Sequence, residues 1–221
     1  MIFLYILLFF LFAFFTIFLS IKLSIYSDRL GNNFNISKAF IGGILLAGVT
    51  SLPEFATSIS AVSIGNFSLA IGDILGSNVF NIFIICVFDI ILFNKKIFNN
   101  TKRNNNKIYF LLIIGYSSML LCHILNIDSV ILGIGIPSII VLFVYLYYLL
   151  FVTKDNVDAV INDYKKDKYL VIKLIITAVF MIISSILLTN VVNNIAIMYP
   201  KFSDSLIGAV LLGVTTSLPE V

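Results

Sequence analysis

The sequence predicts an all-α, polytopic membrane protein in which a segment of the first half recurs in inverted orientation in the second. Three observations carry this. Hydrophobic residues make up 60% of the 221 and charged residues 11%, with a mean hydropathy of +1.10, far from the balance of a soluble domain. Apolar runs of membrane length follow one another along the chain. The five letters Thr-Ser-Leu-Pro-Glu occur twice, ending on Glu54 and Glu220, and these are the chain's two glutamates.

A spanning helix needs about 20 mostly apolar residues. Seven segments qualify, at about 2–25, 36–64, 68–93, 108–125, 129–152, 169–192 and 202–221, the last ending with the chain. The first has no basic leader and no small-residue cleavage site, so it is expected to be a retained helix rather than a removed signal peptide. The second holds Thr50-Ser51-Leu52-Pro53-Glu54, and the third opens on Gly72-Asp73-Ile74-Leu75-Gly76-Ser77-Asn78-Val79-Phe80-Asn81. The fourth carries His123, expected as an interfacial side chain, and the fifth ends on Tyr145, Tyr147 and Tyr148, which suit an interfacial belt. Asp89 is a further membrane aspartate with no assigned role, and Cys86 and Cys122 are expected as small buried thiols. Residues 94–107 and 153–168 are rich in Asn, Lys and Asp and read as solvated connectors, leaving no soluble domain.

All but Lys201 of the 14 basic residues flank the first, third and fifth connections. The positive-inside rule therefore places those connections in the cytoplasm and the amino terminus outside, in a multi-pass protein of the cell membrane. On this topology the second and seventh spans enter the bilayer from opposite sides. The repeat also runs upstream, Gly42 matching Gly208 and Leu45-Leu46 matching Leu211-Leu212 at a constant offset of 166 residues. Inverted repeats with broken helices meeting at the midplane are a recurring plan of secondary transporters.

Each copy carries its own helix breaker. Pro53 and Pro219 lack an amide hydrogen and clash with the preceding turn, so carbonyls near Thr50 and Thr216 are left for another partner. A carboxylate near the bilayer centre costs roughly 2.5 kcal/mol or more and is kept where it faces a cavity, a partner or an ion. Carboxylate, hydroxyl and carbonyl oxygens together suit hard cations such as calcium or sodium. Ser51-x-x-Glu54 and Ser217-x-x-Glu220 also fit capping boxes, although Gln would serve a cap without the membrane penalty. On the third span, Asp73, Ser77 and Asn81 recur every four residues and share one helix face. Its glycines are expected to let that face approach the broken second span, with a small-residue packing seam as the alternative for Gly72, Gly76 and Asn78. Asp73 lies nearer the outer end, where it attracts cations or is simply hydrated.

Gly48-Val49-Thr50-Ser51-Leu52-Pro53-Glu54 followed by Gly76-Ser77-Asn78-Val79-Phe80-Asn81 resembles the alpha-repeat signature of the calcium/cation antiporter superfamily, which includes the sodium/calcium exchangers. The first repeat covers about 36–93, and the segment from Ser205 onward resembles the start of the other. The resemblance implies two five-helix halves packed in inverted orientation: 1–152 as the first exchanger half, 153–168 as a cytoplasmic connector and 169–221 as the start of the second. It further implies a transported-ion site lined by Thr50, Ser51, Glu54, Ser77 and Asn81 from one half and Thr216, Ser217 and Glu220 from the other, with carbonyls near Ala47 and Gly213 completing sodium positions. The implied activity is exchange of Ca²⁺ for Na⁺ across the lipid bilayer, with no enzyme chemistry, no cofactor and no nucleic acid partner. An H⁺/Ca²⁺ antiporter, a passive cation channel and an inactive partial chain are the alternatives, and an intramembrane aspartyl protease using Asp73 and Asp89 is a remote one. The chain departs from the family pattern in ending at Val221, before a second Gly-Ser-Asn element, so a complete second half is expected to need on the order of 100 further residues. It also has Val49 and Thr215 where glycine is common, and Asp73 where asparagine is common.

Overall fold

The computed structural model describes residues 2–34, 45–91, 106–125, 130–131, 134–147 and 169–220. Residues 94–105 of the first polar connector, all of the second, the upstream match at 41–44, and Tyr148 lie outside the described residues. The described chain is helical throughout apart from turns and one two-residue strand pair.

Helix α1 spans Ile2–Phe34, beyond the expected end at 25, and the broken second span follows as α2, Ala47–Thr50, and α3, Leu52–Ser63. Pro53 sits in the first turn of α3, where its missing amide costs nothing, so the break falls at Ser51 between the two pieces. A tight turn through Gly65, whose φ of 82° suits glycine alone, joins α3 to α4, Phe67–Ile91. Asn66 caps α4, its Oδ1 accepting from the Leu69 amide at 3.0 Å. Helix α5 is Asn106–Ile124.

The fifth expected span differs from its expectation. Val130–Ile131 (β1) pairs antiparallel with Ile134–Gly135 (β2), and helix α6 runs over Ile136–Tyr147. Pro137, near the start of α6, favours a helix beginning there rather than one continuing from residue 129. The long helix α7, Leu170–Met198, is followed by a short α8, Asp204–Ile207, capped by Ser203. A π-helical stretch, Gly208–Gly213, then leads into α9, Val214–Ser217, and a 3₁₀ turn, Leu218–Glu220. Residues 45 and 46, which match 211 and 212, are π-helical as well.

Among the described residues, three helices are long and apolar enough to cross a bilayer, at Ile2–Leu30, Phe67–Ile91 and Leu170–Met198. Shorter apolar helical stretches among the described residues lie at Ile113–Cys122, Ile136–Tyr147 and Asp204–Ser217. Phe3, Phe10 and Phe14 point outward from α1, as side chains facing lipid do. Cys86 is exposed on α4 rather than buried, whereas Cys122 is buried as expected, and both thiols are free.

Helix α1 lies along α7, and their seam is polar at its centre, where Thr16 and Ser184 share a 2.9 Å hydroxyl contact. The core gathers small and branched residues from α1, α3, α4, α7 and the 204–217 segment: Ala13, Ala61, Ala70, Val192, Ile207 and Leu212. Small side chains let helix backbones approach closely where lipid supplies no hydrophobic drive.

Candidate functional site

The backbones of α4 and the 204–217 segment approach each other closely at their glycines. A Cβ added to Gly72 would stand 2.1 Å from the Ser205 carbonyl oxygen, and one added to Gly208 would stand 2.4 Å from that of Leu69. Gly76 meets Ala209, and Gly213 meets the Ser77 amide, in the same way. The glycines of α4 thus serve the second Thr-Ser-Leu-Pro-Glu segment, where the sequence pattern pointed to the broken second span. Asn78 takes no part in this seam. It is exposed and faces an apolar cavity with Leu75, Leu111 and Met119.

This contact brings three expected site residues into one neighbourhood. The Ser77 hydroxyl donates to the Gly213 carbonyl at 3.3 Å and lies 3.3 Å from the Thr216 hydroxyl. Ser217, next in the chain, is fully buried, and its Oγ has no hydrogen-bond partner among the described residues. Thr216 in turn donates to the carbonyls of Leu212 at 3.1 Å and Gly213 at 3.4 Å, two of the competing acceptors within its reach.

The first copy shows the same local bond. The Thr50 hydroxyl donates to the Ala47 carbonyl at 3.1 Å, and Ala47 matches Gly213 as Thr50 matches Thr216. Ser51 is exposed at the break and makes no side-chain cap bond, so the capping box expected as an alternative is not formed there. Glu54 opens the first turn of α3 and is half-buried, its Oε2 shut off from solvent. Asn81 is half-buried one turn beyond Ser77 on α4. For Glu220 the backbone is described, within the 3₁₀ turn, and its side chain lies outside the described part, as does that of His123.

Asp73 is the largest addition to the sequence reading. It is fully buried rather than hydrated, and Oδ2 accepts hydrogen bonds from the hydroxyls of Thr57 and, at 3.2 Å, Ser58. The Thr216 hydroxyl also faces this carboxylate. Thr57 and Ser58 were absent from the expected set, although they lie three and four residues after Glu54, on the same face of α3. Thr57 is held from behind by α7, whose Thr189 donates to its carbonyl at 3.4 Å. Asp89 is exposed towards the end of α4 and takes no part in this cluster.

Among the described residues no group of three or more His, Cys, Asp and Glu gathers. The donors here are carboxylate, hydroxyl and carbonyl oxygens, which suit hard cations rather than zinc or copper.

The model of the family described as sodium/calcium exchanger protein matches residues 4–154. The chain belongs to this family. An uncharacterized membrane protein of Methanocaldococcus jannaschii, MJ0091, is 26% identical over 199 residues, which cover 88% of this chain and 62% of the relative. The inner membrane protein YrbG of Escherichia coli is 46% identical over 56 residues, 25% of this chain and 17% of YrbG. The sodium/calcium exchanger MaX1 of Methanosarcina acetivorans is 46% identical over 50 residues, 23% of this chain and 14% of MaX1. The chain thus spans less than two thirds of the length of these relatives. No solved structure matches it. Family and helices together make this an integral membrane protein of a cation-transport family.

Proposed function

We propose that the protein is a secondary cation antiporter of the cell membrane that exchanges Ca²⁺ for Na⁺ by alternating access at a midplane site. The site is built around Glu54 and Glu220, with Thr50, Ser51, Ser77, Asn81, Thr216 and Ser217 as oxygen ligands. One observation carries the reading. The second Thr-Ser-Leu-Pro-Glu segment is drawn by the glycine seam against the helix bearing Ser77, so the Ser77 hydroxyl stands within hydrogen-bond distance of the Gly213 carbonyl and the Thr216 hydroxyl.

In this reading residues 1–152 form the first half and 169–221 begin the second, inverted with respect to it, with the amino terminus outside. Ca²⁺ between two carboxylates leaves the midplane nearly neutral, and replacement by Na⁺ ions preserves the balance. The empty site keeps two bare charges and resists crossing. Coupling follows from that difference. The protein performs no covalent chemistry in this cycle.

The test is Ca²⁺ uptake into vesicles carrying the protein, under imposed Na⁺ or H⁺ gradients, with Glu54→Gln alongside. Uptake driven by Na⁺ and lost in the variant is the expected result. Uptake driven by H⁺ alone would replace Na⁺ by protons as the counter-ion, and gradient-independent flux surviving the substitution would refute the site.

A further inference from the structure

Asp73 stands apart from the two glutamates. It lies on α4, outside both Thr-Ser-Leu-Pro-Glu copies, and is fully buried. Thr57 and Ser58 both donate to Oδ2, while Oδ1 has no hydrogen-bond partner among the described residues. Neither α3, α4 nor the 204–217 segment, the elements packed around it, contains a Lys, Arg or His. The other acidic residues of these elements are Glu54 on α3, Asp89 on α4 and Asp204 on α8, so these elements supply no positive charge to Asp73.

We propose that Asp73, with the hydroxyls of Thr57, Ser58 and Thr216, forms a second cation site, one helical turn from Glu54 and selective for Na⁺ over Ca²⁺. The charge balance sets the selectivity. One carboxylate with neutral hydroxyls neutralises a monovalent ion, whereas a divalent ion would leave a net positive charge among apolar helices, where Coulomb energies are poorly screened. Hydroxyl oxygens supply the weakly charged ligands that Na⁺ accepts. Oδ1 is the carboxylate oxygen that the hydroxyls leave for the ion. Thr57 and Ser58 follow Glu54 by about one turn, so the two sites share α3. A Na⁺ at Asp73 therefore sits beside the Ca²⁺ centre and shares the Thr216 hydroxyl with it. The role of this site in transport rests on the antiport reading, but its ability to bind Na⁺ does not.

The experiment is thermal unfolding of the purified protein in detergent, titrated with NaCl against N-methyl-D-glucamine chloride at constant ionic strength, and separately with CaCl₂. A ligand that binds the folded state raises the unfolding temperature with concentration. The Glu54→Gln variant is expected to lose protection by Ca²⁺ yet keep protection by Na⁺. Adding Asp73→Asn, which keeps an oxygen acceptor for Thr57 and Ser58, is expected to weaken the remaining Na⁺ response by about tenfold or more in apparent affinity. An unchanged Na⁺ response in the double variant would overturn the proposal. Should that variant fail to fold, Ser58→Ala in the Glu54→Gln background decides: a weaker Na⁺ response supports the site and an unchanged one overturns it. If Ca²⁺ protects Glu54→Gln as well as it protects the unsubstituted protein, the glutamate site fails while the Na⁺ comparison still judges Asp73.

Discussion

Replacing Gly72 by alanine tests the seam on which the site depends. The added Cβ would stand 2.1 Å from the Ser205 carbonyl oxygen, about 1.3 Å inside the 3.4 Å at which ordinary contact begins. The obstacle is backbone, so no change of rotamer relieves it, and the segment from Ser205 must move away from α4. Overpacking of this kind costs about 1–3 kcal/mol. Alanine also gains about 1 kcal/mol over glycine within a helix, which partly masks the clash. Gly115→Ala supplies the correction, because that helical glycine has nothing within 4 Å of an added Cβ and shows the propensity gain alone. The expected outcome is Gly115→Ala slightly more stable than the unsubstituted protein and Gly72→Ala about 1–3 kcal/mol less stable than Gly115→Ala, measured by reversible unfolding in mixed micelles. Equal stability of the two variants would refute the claim that these backbones touch.

Other outcomes follow from individual bonds. Thr57→Val removes one of the hydroxyls donating to Asp73 and is expected to cost about 1–3 kcal/mol of stability, with Thr57→Ser restoring most of it in the same unfolding assay. Asn66→Ala removes the cap of α4 and the 2.9 Å bonds to Asn193 and Asp204, so a loss of about 2–3 kcal/mol is expected, and a loss under 0.5 kcal/mol would mean that this turn is not held by those bonds. Ser77→Ala loses two long contacts of 3.3 Å and is expected to cost less than about 1 kcal/mol of stability while lowering Ca²⁺ uptake severalfold, a split visible by running unfolding and transport on one preparation. Thr16→Val at the α1–α7 contact is expected to cost about 0.6 kcal/mol, the usual worth of a polar pair between membrane helices.

Much of the helical frame was legible in composition and apolar run length. The third and sixth expected segments, 68–93 and 169–192, reappear as Phe67–Ile91 and Leu170–Met198 because nothing within them breaks a helix. Prediction strayed where a breaker lies near a segment's end. Pro137 delays α6, and the seventh segment divides into four helical pieces around a π-helical stretch that apolar periodicity does not encode. The partner of the α4 glycines was out of reach for another reason: spacing shows which residues share a face, but not which distant segment covers it. Asp73 illustrates the same limit, since position near a helix end suggested water and the packing of three elements removed it. Thr57 and Ser58 were findable from their spacing after Glu54, had hydroxyls been weighed alongside carboxylates.

The π-helical stretch at Gly208–Gly213 acts as a phase shifter. Its bonds reach one residue further than those of an α-helix, so the chain beyond it is rotated relative to a regular continuation by the angle of about one residue, near 100°. That offset sets which side of the rod Thr216 and Glu220 occupy. Shortening the stretch by a single residue would restore an ordinary helix and, in the same stroke, swing the acidic motif out of register with α4 while leaving its letters intact. The second copy therefore depends on its rotational phase and residue count as much as on its composition, and residues 45 and 46 give the first copy a wide turn at the matching place.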